Sequence, residues 1–308
     1  MLSLVLAAAL LSDPVGAPVV LPSEPAPLHG TLLTPSETRA AAVILPGSGP
    51  TDRDGNSPLG ITASTYRLLA EGLAGEGIAT VRIDKRGIGA SAFAAGREED
   101  LRFTHLVNDA RAWAVETARL TGQPCVWLIG HSEGALVALA AVEDGGDAVC
   151  GLILLSGAGR TARVVLEEQL GPQLPEPLRT QAFHALAELE AGRLVPDAPA
   201  ALAALFRPSV QPYMISWMAL DPAELAAGYD GPIMIGQGST DIQTTVVDAE
   251  AMAAAQPDAR LVIWDGVNHL LKVAPADRAA NIATYGNPDL PLAPGVVEDV
   301  AGFILEPR

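Results

Sequence analysis

Gly130-His131-Ser132-Glu133-Gly134 decides the reading of this chain. It follows an apolar run, Val126-Trp127-Leu128-Ile129, and precedes the small-residue stretch Ala135-Leu136-Val137-Ala138-Leu139-Ala140. Strand, Gly-x-Ser-x-Gly and helix, in that order, predict a serine raised on a sharp strand-to-helix turn. The two glycines leave the room so tight a turn needs. The start of the helix aims its first N–H groups at the place where negative charge would develop beside the serine. The pentapeptide alone is weak in a chain with 30 glycines, so its context has to carry it.

Two downstream stretches supply that context. Ile233-Met234-Ile235 runs into Gly236-Gln237-Gly238-Ser239-Thr240-Asp241, and Leu261-Val262-Ile263-Trp264 runs into Asp265-Gly266-Val267-Asn268-His269. Each polar candidate follows a predicted strand, where open parallel sheets gather their sites. The order serine, acid, histidine fits a nucleophile, an orienting carboxylate and a base. His269 is the only histidine after Asp241. Asp265, four residues before it, is the rival acid; the Gly-rich turn after the penultimate strand favours Asp241. Asp248 falls in a helical pattern and reads as a solvated-face carboxylate.

With these residues the chain resembles the α/β-hydrolase superfamily, in its bacterial esterase and serine-aminopeptidase-like branch. Further matching stretches are Leu45-Pro46-Gly47-Ser48-Gly49-Pro50-Thr51-Asp52-Arg53-Asp54-Gly55-Asn56, Asp84-Lys85-Arg86-Gly87-Ile88-Gly89-Ala90-Ser91, Asn268-His269-Leu270-Leu271-Lys272 and Tyr285-Gly286-Asn287-Pro288-Asp289-Leu290-Pro291-Leu292. Many relatives carry His-Gly where this chain has Pro46-Gly47. The resemblance implies a doubly wound, mostly parallel sheet with a helical lid inserted after the strand that follows the elbow. It implies Ser132, Asp241 and His269 as catalytic triad, and backbone N–H groups of Ser48 and Glu133 as oxyanion hole. It implies a serine hydrolase acting on a small-molecule ester through an acyl-enzyme, with no metal or organic cofactor. An aminopeptidase or amidase, and a non-catalytic binding module on the same fold, are the alternatives.

At 308 residues, one α/β domain with an insertion is the economical organisation. The net charge of -17 argues against nucleic acid or an anionic membrane surface as partner. Met1 to Leu11 is apolar but too short to span a bilayer, and Val15-Gly16-Ala17 offers a small-residue cleavage site. Residues 1–17 therefore read as a signal peptide of a secreted or periplasmic protein, although a basic n-region is missing. The alternative is an apolar N-terminal element of a cytoplasmic protein. No later segment is long and apolar enough to cross a membrane.

Beyond a Pro-rich stretch ending at Pro27, alternating β and α patterns place the core in 28–156 and 231–308. Between them, 157–230 shows helical patterns around Val164–Leu170, Leu178–Ala191 and Ala200–Phe206, broken by prolines, and no clear strand. There Phe206, Tyr213, Met214, Trp217 and Met218 either line an acyl pocket or hold the insertion's own core. The Glu133 carboxylate either favours its helix N-terminus or lines the pocket. His131 should point away from the serine hydroxyl and reads as structural. Asp52, Arg53, Asp54, Arg86 and Ser91 read as loop scaffolding. Cys125 and Cys150 begin neighbouring strands, and two buried thiols are expected over a disulfide, because side-by-side positions on parallel strands often bridge poorly.

Overall fold

The computed structural model describes residues 16–143 and 145–307. Most of the segment read as a signal peptide, residues 1–15, lies outside the described residues. The strands are β1 (Ala17–Leu21), β2 (Leu28–Leu33), β3 (Ala40–Leu45), β4 (Ile78–Ile83), β5 (Val126–His131), β6 (Val149–Leu155), β7 (Ile233–Gly238) and β8 (Arg260–Trp264). They form one eight-stranded sheet in the order β1-β2-β4-β3-β5-β6-β7-β8. The pairs from β4 to β8 are parallel, and β1 and β2 pair antiparallel at one edge.

β1 begins at the end of the segment read as a signal peptide and runs into the stretch read as Pro-rich. As an edge strand it tolerates Pro18, which needs no second ladder partner. The central strands are near-continuous apolar runs because helices cover both faces. On one face lie α1 (Thr65–Gly75) and, late in the chain, Val296–Leu305; their buried residues pack against Ile44, Ile129 and Ile153. The other face holds α2 (Phe103–Thr121) and α3 (Glu133–Val142), with Trp113 and Leu139 packed against Val43, Leu128 and Leu154.

Between β6 and β7 the chain forms α4 (Ala162–Leu170), α5 (Leu178–Glu190), α6 (Ala203–Phe206), α7 (Gln211–Met218) and α8 (Pro222–Ala227). The first three follow the expected patterns. The sequence did not reveal α7 and α8, because Pro212 and Pro222 look like breakers; each sits in its helix's first turn, where a missing N–H costs nothing. Helices α4 to α7 share a core of their own, built on Leu186, Leu189, Phe206 and Met218, whereas α8 sends Ala226 into the main core. The chain then returns through α9 (Val246–Ala255), α10 (Arg278–Ala283) and α11 (Val296–Leu305).

Cys125 and Cys150 are joined in a disulfide, contrary to the expectation of free thiols. The reason is an irregularity in the β5–β6 ladder: Val126 pairs with Val149 but Trp127 pairs with Gly151, leaving Cys150 as the extra residue. This displaces it from regular side-by-side geometry and brings the two Cα atoms to 5.3 Å.

Candidate active site

The loops that follow β3, β5, β6, β7 and β8 meet at the carboxyl edge of the parallel strands. Ser132 occupies the turn between β5 and α3 with φ 54° and ψ -120°. Such a conformation costs a non-glycine residue about 1–3 kcal/mol and persists only when its surroundings enforce it. Here they do. Ser132 N donates to Leu155 O at 2.9 Å, and Ala135 N donates back to Ser132 O at 3.0 Å. A methyl group on Gly130 would lie 2.2 Å from Gly134 O, and one on Gly134 would lie 2.3 Å from Leu45 O. Both glycines are thus required by close backbone approach, one within the turn and one against β3.

His269 is buried in the loop after β8. Asn268 shapes that loop, its Oδ1 accepting the N–H groups of Leu270 at 3.0 Å and Lys272 at 3.1 Å. His269 Nδ1 lies 2.8 Å from Asp241 Oδ2. Oδ1 of Asp241 accepts the N–H groups of Gln243 at 2.8 Å and Thr244 at 3.1 Å, and Oδ2 also accepts Gln237 Nε2 at 3.1 Å. Burial pushes the Asp241 carboxyl up, but His269 and these donors outweigh it and hold the group below its ordinary range. Asp265 takes no part: it is exposed and accepts the Ser239 hydroxyl at 3.0 Å. Asp248, expected on a solvated face, is fully buried beneath Arg160, whose Nε donates to it at 2.9 Å.

His131 closes a second chain of hydrogen bonds, with Tyr66 and His269 as its partners. Its Nε2 lies 2.7 Å from His269 O, and its Nδ1 lies 2.8 Å from the Tyr66 hydroxyl, which accepts Gly47 N–H at 2.9 Å. A carbonyl oxygen only accepts, so Nε2 must carry the proton. Burial, with His269 nearby, lowers His131 to about 3, so the ring is neutral and Nδ1 is an acceptor. Tyr66 therefore donates to His131 while accepting from Gly47. Every bond in the chain has one permitted direction.

The Gly47 loop lies against the elbow, for a methyl on Gly47 would stand 3.1 Å from Ser132 Cβ. Ser48 and Ser132 line one cavity of about 90 Å³ together with Glu133, Val165 and Trp217. A neighbouring cavity of about 680 Å³ shares Ser48, Glu133 and Trp217 with it and reaches Tyr213 and Met214. The Glu133 carboxylate does face these cavities, but it is engaged by the Tyr213 hydroxyl at 2.8 Å and by Lys85 Nζ at 3.4 Å. Trp217 and Met214 line the larger cavity, Met214 also belonging to the core of the inserted helices, where Phe206 and Met218 are packed away from it.

The residues read as scaffolding hold their loops to neighbouring elements. Asp84 accepts Arg53 N–H at 2.9 Å and Ala90 N–H at 2.8 Å, Arg82 pairs with Asp54, and Arg86 holds Asp109 through two nitrogens. Ser91 Oγ accepts His29 N–H at 2.9 Å. Among the described residues no cluster of three or more His, Cys, Asp or Glu is arranged to hold a metal ion, and no helix is long and apolar enough to cross a membrane.

A family model described as serine aminopeptidase, S33, matches residues 59–283. The chain belongs to that family. No curated protein sequence matches this member closely enough to count as a relative. Among solved structures it is similar to Est1E from Butyrivibrio proteoclasticus, at 17% identity and TM-score 0.58 over 94% of this chain and 97% of that one. The same protein with ferulic acid bound gives TM-score 0.59 at 17% identity, covering 93% and 96%. A bromoperoxidase from Bacillus anthracis gives TM-score 0.56 at 13% identity, covering 94% and 100%. At such identities the likeness is one of fold, and the fold is that of the α/β-hydrolases. The protein belongs to a hydrolase family of that fold.

Tyr66, Lys85, Gln237 and Thr244 are the parts of the site that the sequence reading did not single out; Tyr213, read as a pocket or core residue of the insertion, is found holding Glu133. Tyr66 carries no local signal, since its place depends on α1 packing beneath the Gly47 loop. Lys85 did carry one: it is one of only two lysines in the chain.

Proposed function

We propose that the protein hydrolyses carboxylic esters, with Ser132 as nucleophile, His269 as base and Asp241 as orienting acid. The observation that carries the reading is the buried 2.8 Å contact between His269 Nδ1 and Asp241 Oδ2, beside a serine held at φ 54°. That contact leaves Nε2 of His269 for the serine. The imidazole takes the Ser132 proton as Oγ bonds to the ester carbon and the carbonyl electron pair moves onto oxygen. The oxyanion is received by the N–H groups of Ser48 and Glu133, the latter lying in the first turn of α3, where N–H groups lack intrahelical partners. Collapse breaks the bond to the alcohol oxygen, which takes the proton from His269. Water then repeats the sequence on the acyl-enzyme and restores the serine.

An ester fits better than a substrate with a free α-amino group. Such a group needs an unengaged carboxylate near the nucleophile, and Glu133 is already held by Lys85 and Tyr213. The larger cavity is lined mainly by apolar side chains such as Leu166, Met214 and Trp217, which suit a neutral group; burying an unpaired charge there would be costly. In this reading the inserted helices act as the lid. The apolar N-terminus marks export, and a disulfide suits an oxidising compartment. Export is checked by sequencing the N-terminus of secreted protein, expected near Pro18; retained Met1 overturns it.

The test of the activity is labelling and turnover. A fluorophosphonate probe should modify Ser132 stoichiometrically, and Ser132→Ala should lose labelling and about six orders of magnitude in turnover. p-Nitrophenyl esters should be cleaved far faster than aminoacyl-nitroanilides. Labelling of another serine, or the reverse substrate order, overturns the reading.

A further inference from the structure

Lysine is scarce in this chain: of 19 basic side chains only Lys85 and Lys272 are lysines, and all the others are arginines. Lys85 follows β4 at the carboxyl edge of the sheet, its side chain only 10% exposed. Its Nζ donates to Gly47 O at 2.6 Å and stands 3.4 Å from Glu133 Oε2. Gly47 O and the N–H of Ser48 are the two ends of one peptide unit. Glu133 carries the other N–H of the proposed oxyanion hole. One ammonium group therefore touches the far end of one oxyanion donor and the side chain of the residue that bears the other.

The physical consequence lies in the Gly47–Ser48 peptide. A cation on the carbonyl oxygen draws electron density from the amide and makes its N–H a stronger donor, as in any cooperative hydrogen-bond chain. The bond is charge-assisted, so it is stronger than a neutral one and fixes the peptide plane more firmly. Gly47 has no side chain to anchor it; its N–H is held by Tyr66 at 2.9 Å and its C=O by Lys85 at 2.6 Å. A lysine suits the place better than the arginine this chain otherwise uses. A compact ammonium turns its donors toward the Gly47 carbonyl and the Glu133 carboxylate from one point, whereas a planar guanidinium fork has fixed donor directions.

We propose that Lys85 is a positioning residue for ester hydrolysis: it orients and polarises the Gly47–Ser48 peptide so that Ser48 N–H meets the oxyanion. The inference rests on the ester-hydrolysis reading above. Lys85 touches no reacting atom, and its action is felt only as negative charge forms on the carbonyl oxygen. Its loss should therefore lower kcat rather than raise KM.

The experiment compares unsubstituted protein, Lys85→Met and Lys85→Arg. Each is assayed for kcat and KM on p-nitrophenyl butyrate and for affinity toward an alkyl trifluoromethyl ketone, which forms a tetrahedral oxyanion adduct on the serine. Lys85→Met should lose about 10- to 100-fold in kcat with KM changed less than about threefold. Its ketone affinity should fall in step with kcat/KM, and Lys85→Arg should recover part of both. A loss of kcat that leaves ketone affinity unchanged, a rise in KM alone, or no change at all overturns the proposal. If Lys85→Met does not fold, Lys85→Arg must itself show kcat and ketone affinity falling together, and unchanged values overturn the proposal. Failure of the unsubstituted protein to hydrolyse the ester or bind the ketone overturns the ester reading, and this inference with it.

Discussion

His131 Nε2 donates to the backbone carbonyl of His269 at 2.7 Å, so the residue before the elbow serine holds the loop of the histidine that partners Asp241. The two rings sit 4.9 Å apart, yet no side-chain hydrogen bond between them is needed for the coupling. Through Tyr66 the same imidazole reaches Gly47 on the loop after β3. Three loops from distant parts of the chain are therefore registered to one another by a single buried ring. A neutral histidine serves because it offers one donor and one acceptor at opposite edges.

Tyr66→Phe tests that registration. It leaves Gly47 N–H and His131 Nδ1, both buried, without their partner, at a cost of about 1–3 kcal/mol. Denaturant unfolding should show that loss. On the ester reading, turnover should fall roughly tenfold or more as the Gly47–Ser48 peptide drifts from its position. Unchanged stability and turnover together would mean that the hydrogen-bond chain is incidental.

The same histidine should mark the acid limb of the stability profile. An ordinary imidazole titrates near 6.5, whereas folded His131 is held to about 3. Below pH 6.5 the unfolded chain binds a proton that the folded chain refuses. The contribution of His131 is thus complete above 6.5 and is lost, at up to about 1.4 kcal/mol per pH unit, as pH falls toward 3. Asp241 is lowered from 3.8, so its contribution is lost only further down, as pH falls through the folded value. Urea midpoints between pH 7 and 4 should fall less steeply for His131→Gln than for the unsubstituted protein. In the unsubstituted protein the His131 ring resonances should not titrate over that range; a midpoint near 6 by NMR would contradict the assignment.

The two candidate acids separate by substitution. Asp241→Asn should lower turnover by about four orders of magnitude, because the amide no longer fixes the tautomer that His269 needs. Asp265→Asn should be nearly silent, since this exposed carboxylate contacts only the loop of Ser239. Comparable losses in both variants would show that Asp265 acts on the histidine after all.

Local pattern made the sheet legible, along with the elbow and the strand-end positions of Asp241 and His269. Gly130 and Gly134 could be read because each lies within two residues of Ser132 in one short pattern, although a methyl on Gly130 would strike the turn itself and one on Gly134 the distant backbone of Leu45. Asp241 could be preferred over Asp265 from its Gly-rich turn alone. The partners of Tyr66, Lys85 and Tyr213 could not be read, because they are 19, 38 and 80 residues away and no local pattern encodes such distances. Cys125 and Cys150 misled for a related reason. Regular strands were assumed, and the extra residue in the β5–β6 ladder has no sequence signature of its own. β1 and α7 were obscured by Pro18 and Pro212, which sit at positions where an N–H is not required.

The disulfide gives a direct count. Purified protein, denatured without reductant, should show no free thiol, since the chain has only two cysteines and they are joined. The bridge closes a loop of sequence separation 25. By loop entropy a closure of that size stabilises the folded state by about 3.5 kcal/mol. Cys125→Ser with Cys150→Ser should lower the urea midpoint accordingly and leave ester turnover nearly unchanged, as the bridge lies at the opposite end of β5 from Ser132. Two free thiols in the oxidised protein would restore the reading of buried, unpaired cysteines.

Trp217 should set the preferred substrate rather than the reactivity of the serine. It is among the residues shared by the small cavity beside Ser132 and the larger one beyond it, so it forms part of the wall between them. Trp217→Ala removes that wall without touching Ser132, Asp241 or His269. Across a chain-length series of p-nitrophenyl esters, the optimum should move to longer acyl groups, with kcat/KM for the longer esters rising relative to acetate by about tenfold, the scale of one or two methylenes in an apolar pocket. The rate of labelling by a small fluorophosphonate should change little, because that reaction needs the nucleophile and its base but not the pocket. A variant that loses labelling and ester turnover together, with the optimum unmoved, would mean that Trp217 supports the elbow instead of dividing the two cavities.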